Sequence, residues 1–351
     1  MENLNTAILY GVPKIAYGPE GCTPFPMCIR SCANYLGIPT DYTRAMAESG
    51  AAFRLVWDTS CWNGGNVDAA LTYDNLERVF RQGMRSMERG MKMLERRPET
   101  KKKDFIDFCL KEIDNGNPVI ALGIIGPPEA CIITGYRDSG LELMGWNVFQ
   151  DYPESQTSLH FEKNGYFATK SWWENPETKA LFAIGSESLP AFTPKEALLN
   201  AAEALEGRLC GTYAKGLLAY DAWKNALLRD EDFPSDAVFP ILVERMMCHG
   251  DAMDCLSDGR FHAAKYLHRL AAQYPSHAEK LNLAAQEFEN VTSILWKEMI
   301  PILGGWERGE SQICQLAKAE NRRLFAGQID RMKAHDTKAY TYICELAVNL
   351  T

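Results

Sequence analysis

A cysteine stands at the predicted start of a helix. Cys22 precedes Pro24, and the chain from Pro24 to Leu36 has the proline entry and the apolar pattern of a helix that is closed by Gly37. Amide donors and the dipole at a helix N-terminus lower the pKa of a nearby thiol, which favours the nucleophilic thiolate. Cys22 is therefore the candidate nucleophile. The alternative is that Cys22 is an ordinary small residue at a helix entry.

Two polar residues flank segments that have the composition of β-strands. Glu129 directly precedes a strand predicted over 130–136, and Asn147 directly follows a strand predicted over 141–146. Further strands are predicted over 118–123 and 181–185, after helices predicted over 73–95 and 104–113. Helices followed by an antiparallel sheet indicate the α+β class.

The pattern of apolar residues changes near residue 190. Beyond the linker-like stretch at 186–194, apolar residues recur at helical spacing almost to the end of the chain. This pattern predicts two domains, an α+β domain over 1–188 and an all-α helical bundle over 189–351. The bundle helices are predicted over 195–209, 213–228, 240–247, 260–273, 277–300, 310–333 and 336–350, with Gly250 as a helix end.

Composition excludes several functional classes. The 351 residues carry 37 Lys+Arg against 46 Asp+Glu, and a net charge of −9 disfavours nucleic acid and anionic membranes as partners. The most apolar stretch, 119–136, is interrupted by Gly126-Pro127-Pro128 and cannot form a spanning helix. Eleven scattered cysteines without a Cys-x-x-Cys motif, and an N-terminus unlike a signal peptide, indicate reduced thiols and a cytoplasmic location.

The usual motifs for cofactors and metals are absent. There is no phosphate-binding glycine loop, no Gly-x-Gly-x-x-Gly and no His-Glu-x-x-His, so no cofactor is expected. The stretch Cys248-His249-Gly250-Asp251 lacks metal ligands repeated on one helix face, so no metal is expected either.

Three segments together resemble a known fold. They are Cys22 before its helix, the strand over 129–136, and the following strand that leads to Trp146-Asn147 and Asp151. Over roughly residues 5 to 186, they resemble the papain-like domain of bacteriocin-processing peptidases and of the butirosin-biosynthesis acyltransferase family. The segment 49–54 with Trp57 is similar to a stretch after the first helix in the acyltransferase group. The resemblance implies a cysteine paired with a histidine at the start of the strand, and an Asp or Asn (here Asn147 or Asp151) that orients the imidazole.

The sequence departs from that pattern at the histidine. Glu129 occupies the expected position, and a carboxylate beside Cys22 raises the thiol pKa by like-charge repulsion and suppresses the nucleophile. The only histidine before residue 190 is His160, beyond the expected strand, where a surface or packing role competes with a catalytic one. Cys22 also lies about two residues further from Gly37 than the family pattern suggests, so an ungapped alignment puts Pro24 in the place of the cysteine.

A remodelled pocket is the hypothesis that follows. Small ligands are held by apolar walls with a few convergent polar groups. Arg54 is the predicted ion-pair partner of Glu129, and the alternative for the aromatic residues is packing in the core. The predicted lining residues are Arg54, Trp57, Trp62, Glu129, Tyr136, Trp146, Asn147, Gln150 and Asp151.

Two functions stay open on the sequence. The first is a non-catalytic or remodelled papain-like protein that binds a small molecule or peptide. The second is a cysteine-dependent hydrolase or acyltransferase in which Cys22 attacks an acyl carbonyl. The helical domain offers no reaction chemistry; its apolar stripes serve packing, interdomain contact or a homo-oligomer.

Overall fold

The computed structural model describes residues 5–18, 21–62, 76–234 and 239–350. These residues form a mixed α/β structure with an antiparallel sheet and a C-terminal helical region, as the α+β prediction requires. The strands are β1 (Ala7–Ile8), β2 (Val56–Asp58), β3 (Arg89–Glu95), β4 (Val119–Leu122), β5 (Ala130–Arg137), β6 (Glu142–Trp146), β7 (His160–Phe161), β8 (Phe167–Thr169), β9 (Ala180–Ser188), β10 (Arg208–Cys210) and β11 (Tyr213–Lys215).

Helices account for most of the remaining described chain. They are α1 (Pro24–Tyr35), α2 (Tyr42–Glu48), α3 (Leu76–Arg85), α4 (Lys102–Asp114), α5 (Pro153–Ser158), α6 (Pro194–Leu205), α7 (Leu217–Leu228), α8 (Phe239–Gln273), α9 (Ala278–Ile294), α10 (Ile300–Leu303), α11 (Glu310–Ala317) and α12 (Ala319–Asn349). Within the described ranges, no helix is long and apolar enough to cross a membrane.

The chain divides into two compact units. The first unit contains Met1–Ala45 and Arg81–Phe192, and the second contains Met46–Phe80 and Thr193–Thr351. The division predicted after residue 188 stays a prediction. The sequence did not predict that 46–80 belongs with the helical region.

The first unit is built on one antiparallel sheet. Its strand order is β3-β9-β4-β5-β6-β8-β7, and β1 pairs with the far end of β5. Ile132 of β5 pairs with Trp146 of β6, while Cys131 pairs with Ala121 of β4. A strand that lies between two neighbours and is covered by helices is apolar along most of its length. β5 is such a strand, because α1 and α4 both pack against it and it is buried from its first residue.

The long helix predicted over 73–95 is wrong in its second half. α3 ends at Arg85, and Arg89–Glu95 is the edge strand β3, in which Met93 pairs with Phe182 of β9. The methionines in this stretch fit a helical period, but pairing with a distant strand outweighs local propensity. The beginning of the predicted helix, at 73–75, lies outside the described residues.

The second unit is helical, with a small sheet that the sequence did not predict. β2 pairs with β11, and β11 pairs with β10. β10 overlaps the end of the helix predicted over 195–209, and β11 lies at the start of the helix predicted over 213–228. The predicted helix end at Gly250 is also wrong, because α8 continues through that residue to Gln273. The predicted break between 333 and 336 falls inside α12.

A buried ion pair ties segment 46–80 into the second unit. Arg260 and Asp336 are fully buried, and the guanidinium donates to the carboxylate at 2.6–3.2 Å. The hydroxyl of Tyr220 donates to the same carboxylate at 2.7 Å, and Arg260 also donates to the carbonyl of Ala52 at 2.9 Å. A buried charge pair requires such additional hydrogen bonds, and one of them is supplied by the segment that precedes β2.

Candidate functional site

Two glycines lie before the N-terminus of α1. Gly18 and Gly21 exchange both backbone hydrogen bonds, at 3.0 and 3.3 Å. Gly21 has a φ of +147°, and a Cβ there would lie 2.1 Å from the ring of Tyr42. Only glycine fits this position. Cys22 follows it half-buried, directly before the N-cap of α1, as the sequence predicted.

This helix start is poor in amide donors. Pro24 and Pro26 occupy two of the first three helical positions, and proline has no N–H to donate. The N–H of Thr23 donates to the hydroxyl of Tyr42 at 2.9 Å, and that of Met27 donates to the carbonyl of Thr23 at 3.3 Å. The dipole of α1 remains. Of the backbone N–H groups expected to stabilise a thiolate at Cys22, however, two are missing at the prolines, and those of Thr23 and Met27 donate to other acceptors.

Glu129 is positioned by a braced loop between β4 and β5. Its N–H donates to the carbonyl of Pro127 at 2.7 Å, and its carbonyl accepts from the N–H of Gly123 at 3.1 Å. The side-chain amide of Asn175 donates to the carbonyls of Gly123 and Gly126, at 2.5 and 2.9 Å. Because Gly123 has a φ of +73° and lies against the carbonyl of Glu177, a side chain does not fit there. The loop therefore presents the half-buried Glu129 immediately before β5.

Two buried thiols, Cys28 and Cys131, lie near Glu129. Burial raises the pKa of Cys28 well above its ordinary value, and the charges of Cys32, Cys131 and Glu129 raise it further. Burial also raises the pKa of Cys131 to about 12. These cysteines are therefore neutral, unreactive thiols near neutral pH. The carboxylate of Glu129 acts here as a like charge that opposes thiolate formation.

Asn147 is fully buried at the end of β6. Its Oδ1 accepts from the N–H of Phe149 at 2.7 Å, and its own N–H donates to Oε1 of Gln150 at 3.0 Å. Gln150 donates onward to the carbonyl of Gly165 at 3.1 Å. The side-chain amide of Asn147 interacts with the Cys131 thiol and lowers its pKa, although burial dominates. The Nδ2 atom makes no hydrogen bond of good geometry with the described residues.

Aromatic rings lie beside the Glu129 loop. The rings of Tyr17 and Phe149 meet edge to face, with their centroids 5.9 Å apart, and Tyr152 lies 6.1 Å beyond Phe149. A Cβ at Gly126 would lie 3.6 Å from the Phe149 ring, which brings the loop against this aromatic group. Tyr17 and Phe149 are half-buried, and Tyr152 is 47% exposed. We call Glu129, Asn147, Tyr17, Phe149 and Tyr152 the Glu129 site.

Trp146 and Asp151 support this region from one side. The indole N–H of Trp146 donates to the carbonyl of Val12 at 2.8 Å, and its ring packs edge to face against Tyr166, with centroids 4.8 Å apart. Asp151 accepts from the ammonium of Lys14 at 2.7 and 2.8 Å. Trp146 is therefore largely a packing residue, and Asp151 is one half of a surface ion pair.

Tyr136 does not belong to the predicted pocket. It lies seven residues further along the strand than Glu129, which corresponds to about 23 Å of extended chain. Its hydroxyl donates to Asp114 of α4 at 2.7 Å and accepts from Asn5 at 3.0 Å. Burial and Asp114 raise its pKa to about 12. The sequence placed Tyr136 on the right strand but at the wrong end.

Three other predicted lining residues belong to the second unit. Trp57 is 1% exposed and stacks on Trp223, with centroids 6.1 Å apart, while Trp62 donates to Asp232 at 2.9 Å. Both tryptophans lie in the hydrophobic core of that unit, which favours the packing alternative. Arg54 is buried and donates to the carbonyl of Ser49 at 2.6 Å. Its predicted pairing with Glu129 stays a prediction.

His160 does not replace the missing histidine in the described geometry. It lies on the short strand β7, its side chain is 72% exposed, and its Nε2 is 3.6 Å from the carboxylate of Glu162. Glu162 in turn forms a two-point ion pair with Arg137 at 2.6 and 2.7 Å. The surface alternative for His160 is the one that these contacts support.

Several residues around the site could not be identified from the sequence. Tyr17, Cys28 and Asn175 gave no local signal, because each matters through a neighbour that is distant in the chain. Phe149 follows Asn147 by two residues, and this proximity was the one available hint. Among the described residues, no group of three or more His, Cys, Asp or Glu side chains has a geometry that could hold a metal ion.

Comparison with models of known protein families and with curated proteins finds no match for this chain.

Proposed function

We propose that the first unit is a papain-like domain that no longer catalyses hydrolysis and instead binds a small molecule or peptide at the Glu129 site. The observation that carries this proposal is the identity and position of Glu129. A carboxylate directly precedes β5, where the resemblance requires a histidine, and its charge adds to the effect of burial in raising the pKa of the Cys28 thiol. A general base for a cysteine nucleophile must stabilise the thiolate, and a carboxylate does the reverse.

The surroundings of Glu129 support binding. Two elements that are rigidly held converge there: the loop braced by Asn175 and the turn braced by Asn147 and Gln150. Half-buried rings of Tyr17 and Phe149 provide apolar surface beside the loop that ends at Glu129. Apolar walls with a few fixed polar groups are the usual composition of a ligand site, and rigid supports limit the entropy lost on binding.

Binding can be tested by thermal melting with a library of metabolites and short peptides. A ligand of the site should raise the melting temperature of the wild-type protein and raise it less in Glu129→Gln, since the amide keeps the shape but loses the charge. Glu99→Gln is the matched control, because Glu99 is exposed on a loop of the same unit. If both variants respond like the wild type to every compound, Glu129 does not contribute to a binding site.

The half-buried position of Cys22 before α1 keeps a second candidate open, a cysteine-dependent hydrolase or acyltransferase. In that case Glu129→His should supply the absent imidazole and increase the hydrolysis of activated esters, and the gain should disappear in Glu129→His with Cys22→Ala. Basal ester hydrolysis by the wild type that is lost in Cys22→Ala would favour this candidate over binding.

A further inference from the structure

The strand β3 forms one end of the sheet of the first unit. β9 pairs with one side of β3, and no other described strand pairs with its far side. One residue past β3, the N–H of Arg96 donates to the carbonyl of Lys179 at 2.7 Å, so the backbone groups of Arg96 point towards the chain of β9. Successive residues of a strand point these groups to alternate sides. The N–H and C=O groups of Met91 and Met93 therefore point away from β9.

These outward backbone groups have no partner in the described part of the chain. No described residue donates to or accepts from the N–H and C=O groups of Met91 and Met93 on this side. β3 is half-buried along all seven residues, whereas the neighbouring inner strands are fully buried over most of their length. An edge of this kind is a template on which another strand can pair.

The residues of β3 are complementary to themselves. An antiparallel pairing of two copies about a two-fold axis at Lys92 places Met91 opposite Met93 of the second copy. The same register places Arg89 opposite Glu95 of the second copy, and the symmetry repeats both contacts. Apolar pairs and pairs of opposite charge directly across two antiparallel strands both stabilise them. The edge thus combines unpaired backbone groups with side chains that suit a second copy of the same strand.

The charges on β3 select this register. The described residues place no carboxylate within ion-pair distance of Arg89, and Glu95, which accepts from Arg97 at 3.0 and 3.1 Å, is 35% exposed. A shift by two residues would place Arg89 opposite Arg97 of the second copy, and like charges in that position are unfavourable. At the axis Lys92 lies beside its own counterpart, but the carboxylate of Glu112, 2.8 Å from each ammonium, offsets its charge.

We propose that β3 is a self-association surface, on which a second copy of this chain adds its own β3 as an antiparallel strand. Met91 and Met93 of each copy exchange backbone hydrogen bonds with Met93 and Met91 of the other. The two sheets then form one continuous sheet across the axis. A single edge of seven residues buries less area than a permanent dimer requires, so the association should be reversible and dependent on concentration. This surface is separate from the Glu129 site and does not depend on its function.

Sedimentation velocity of the full-length protein, from about 1 µM to about 1 mM, should show a monomer–dimer equilibrium. Arg89→Glu places a carboxylate opposite Glu95 of the second copy and should raise the dissociation constant of the dimer at least about tenfold. The double variant Arg89→Glu with Glu95→Arg exchanges the two charges and should recover most of the lost affinity. Lys163→Glu is the matched control, because Lys163 is exposed on the turn between β7 and β8, at the other end of the sheet.

A second variant tests the backbone pairing. Met93→Pro removes an N–H that points away from β9, so the ladder with β9 is kept while the dimer should weaken. Hydrogen exchange in peptides that cover 89–95 should slow as the concentration of the wild type rises, and should not do so in Met93→Pro. Thermal melts at low concentration verify that each variant is folded.

Three results would overturn the self-association surface. The first is a wild type that remains monomeric at every concentration. The second is a dimer that is as strong in folded Arg89→Glu and Met93→Pro as in the wild type, because its interface would then lie elsewhere. The third is a folded double variant that recovers no affinity, because Arg89 and Glu95 would then not face each other across the axis.

Discussion

The side-chain amide of Asn147 lies against the thiol of Cys131, on the strand that Glu129 directly precedes. The neighbour of Asn147 is thus a neutral thiol and not an imidazole. The amide also fixes the turn that carries Phe149. One residue thus links the interior of the sheet to the aromatic surface of the proposed site.

Replacing Asn147 with aspartate tests how strongly this position is buried. The carboxylate would be desolvated beside Cys131, so its pKa in the folded protein should lie above the unfolded value of about 3.9. The destabilisation should therefore grow as the pH rises above that value. Thermal melts should show a larger deficit of Asn147→Asp, relative to the wild type, near pH 8 than near pH 5. An equal deficit at both pH values would mean that the position is open to water.

Asn175 should control the order of the loop that presents Glu129. Asn175→Ala removes the two hydrogen bonds to the carbonyls of Gly123 and Gly126 and should cost about 1–3 kcal/mol. Hydrogen exchange measured by mass spectrometry should accelerate in peptides that cover 122–130. The control is Asn290→Ala on α9, whose side chain accepts from Gln286 at 3.4 Å in an exposed position. Unchanged exchange at 122–130 would show that the loop holds without Asn175.

His249 should make the second unit sensitive to acid. It is fully buried, its Nδ1 accepts from the indole of Trp223 at 3.1 Å, and burial together with Arg308 lowers its pKa from 6.5 to about 3. A histidine with a depressed folded pKa binds a proton more readily when unfolded, so its contribution to stability is lost as the pH falls from 6.5 towards 3. The full loss is on the order of 5 kcal/mol.

A variant without that titration should lose part of the acid sensitivity. His249→Phe removes the hydrogen bond from Trp223 and should therefore lower the melting temperature near neutral pH. The melting temperature of this variant should, however, fall less steeply with decreasing pH than that of the wild type. His268 provides a control of opposite sign, because its contacts with Asn282 and Glu289 raise its pKa against the effect of burial. Its small contribution is present below its unfolded pKa and disappears as the pH rises. Equal acid slopes in the wild type and His249→Phe would contradict the assignment.

The elements with strong local signals could be predicted from the sequence. α1 begins at Pro24 and β5 occupies 130–137, as proline entry and an uninterrupted apolar run indicate. β3 could not be predicted, since its identity depends on pairing with β9 almost ninety residues later. The helix end expected at Gly250 also depends on a distant residue. Glycine is needed there inside α8, because the guanidinium of Arg308 fills the space where a Cβ would otherwise lie.

The candidate site was predictable only in part. Glu129 and Asn147 were identified because each one borders a predicted strand, and these two strands pair with each other. The assignment of Tyr136 failed because residue type does not show which end of a strand carries the site. The contact between Tyr17 and Phe149 joins residues that are far apart in the chain, and no local pattern predicts such a contact.

The rate at which Cys22 is alkylated tests the central claim most directly. Brief iodoacetamide treatment near neutral pH, followed by mass spectrometry, compares Cys22 with Cys314, an exposed thiol of the second unit. If Glu129 has replaced the catalytic base and α1 offers few amide donors, Cys22 should be labelled no faster than Cys314, in the wild type and in Glu129→Gln alike. Labelling of Cys22 many times faster than Cys314 would identify an activated nucleophile and contradict the non-catalytic account.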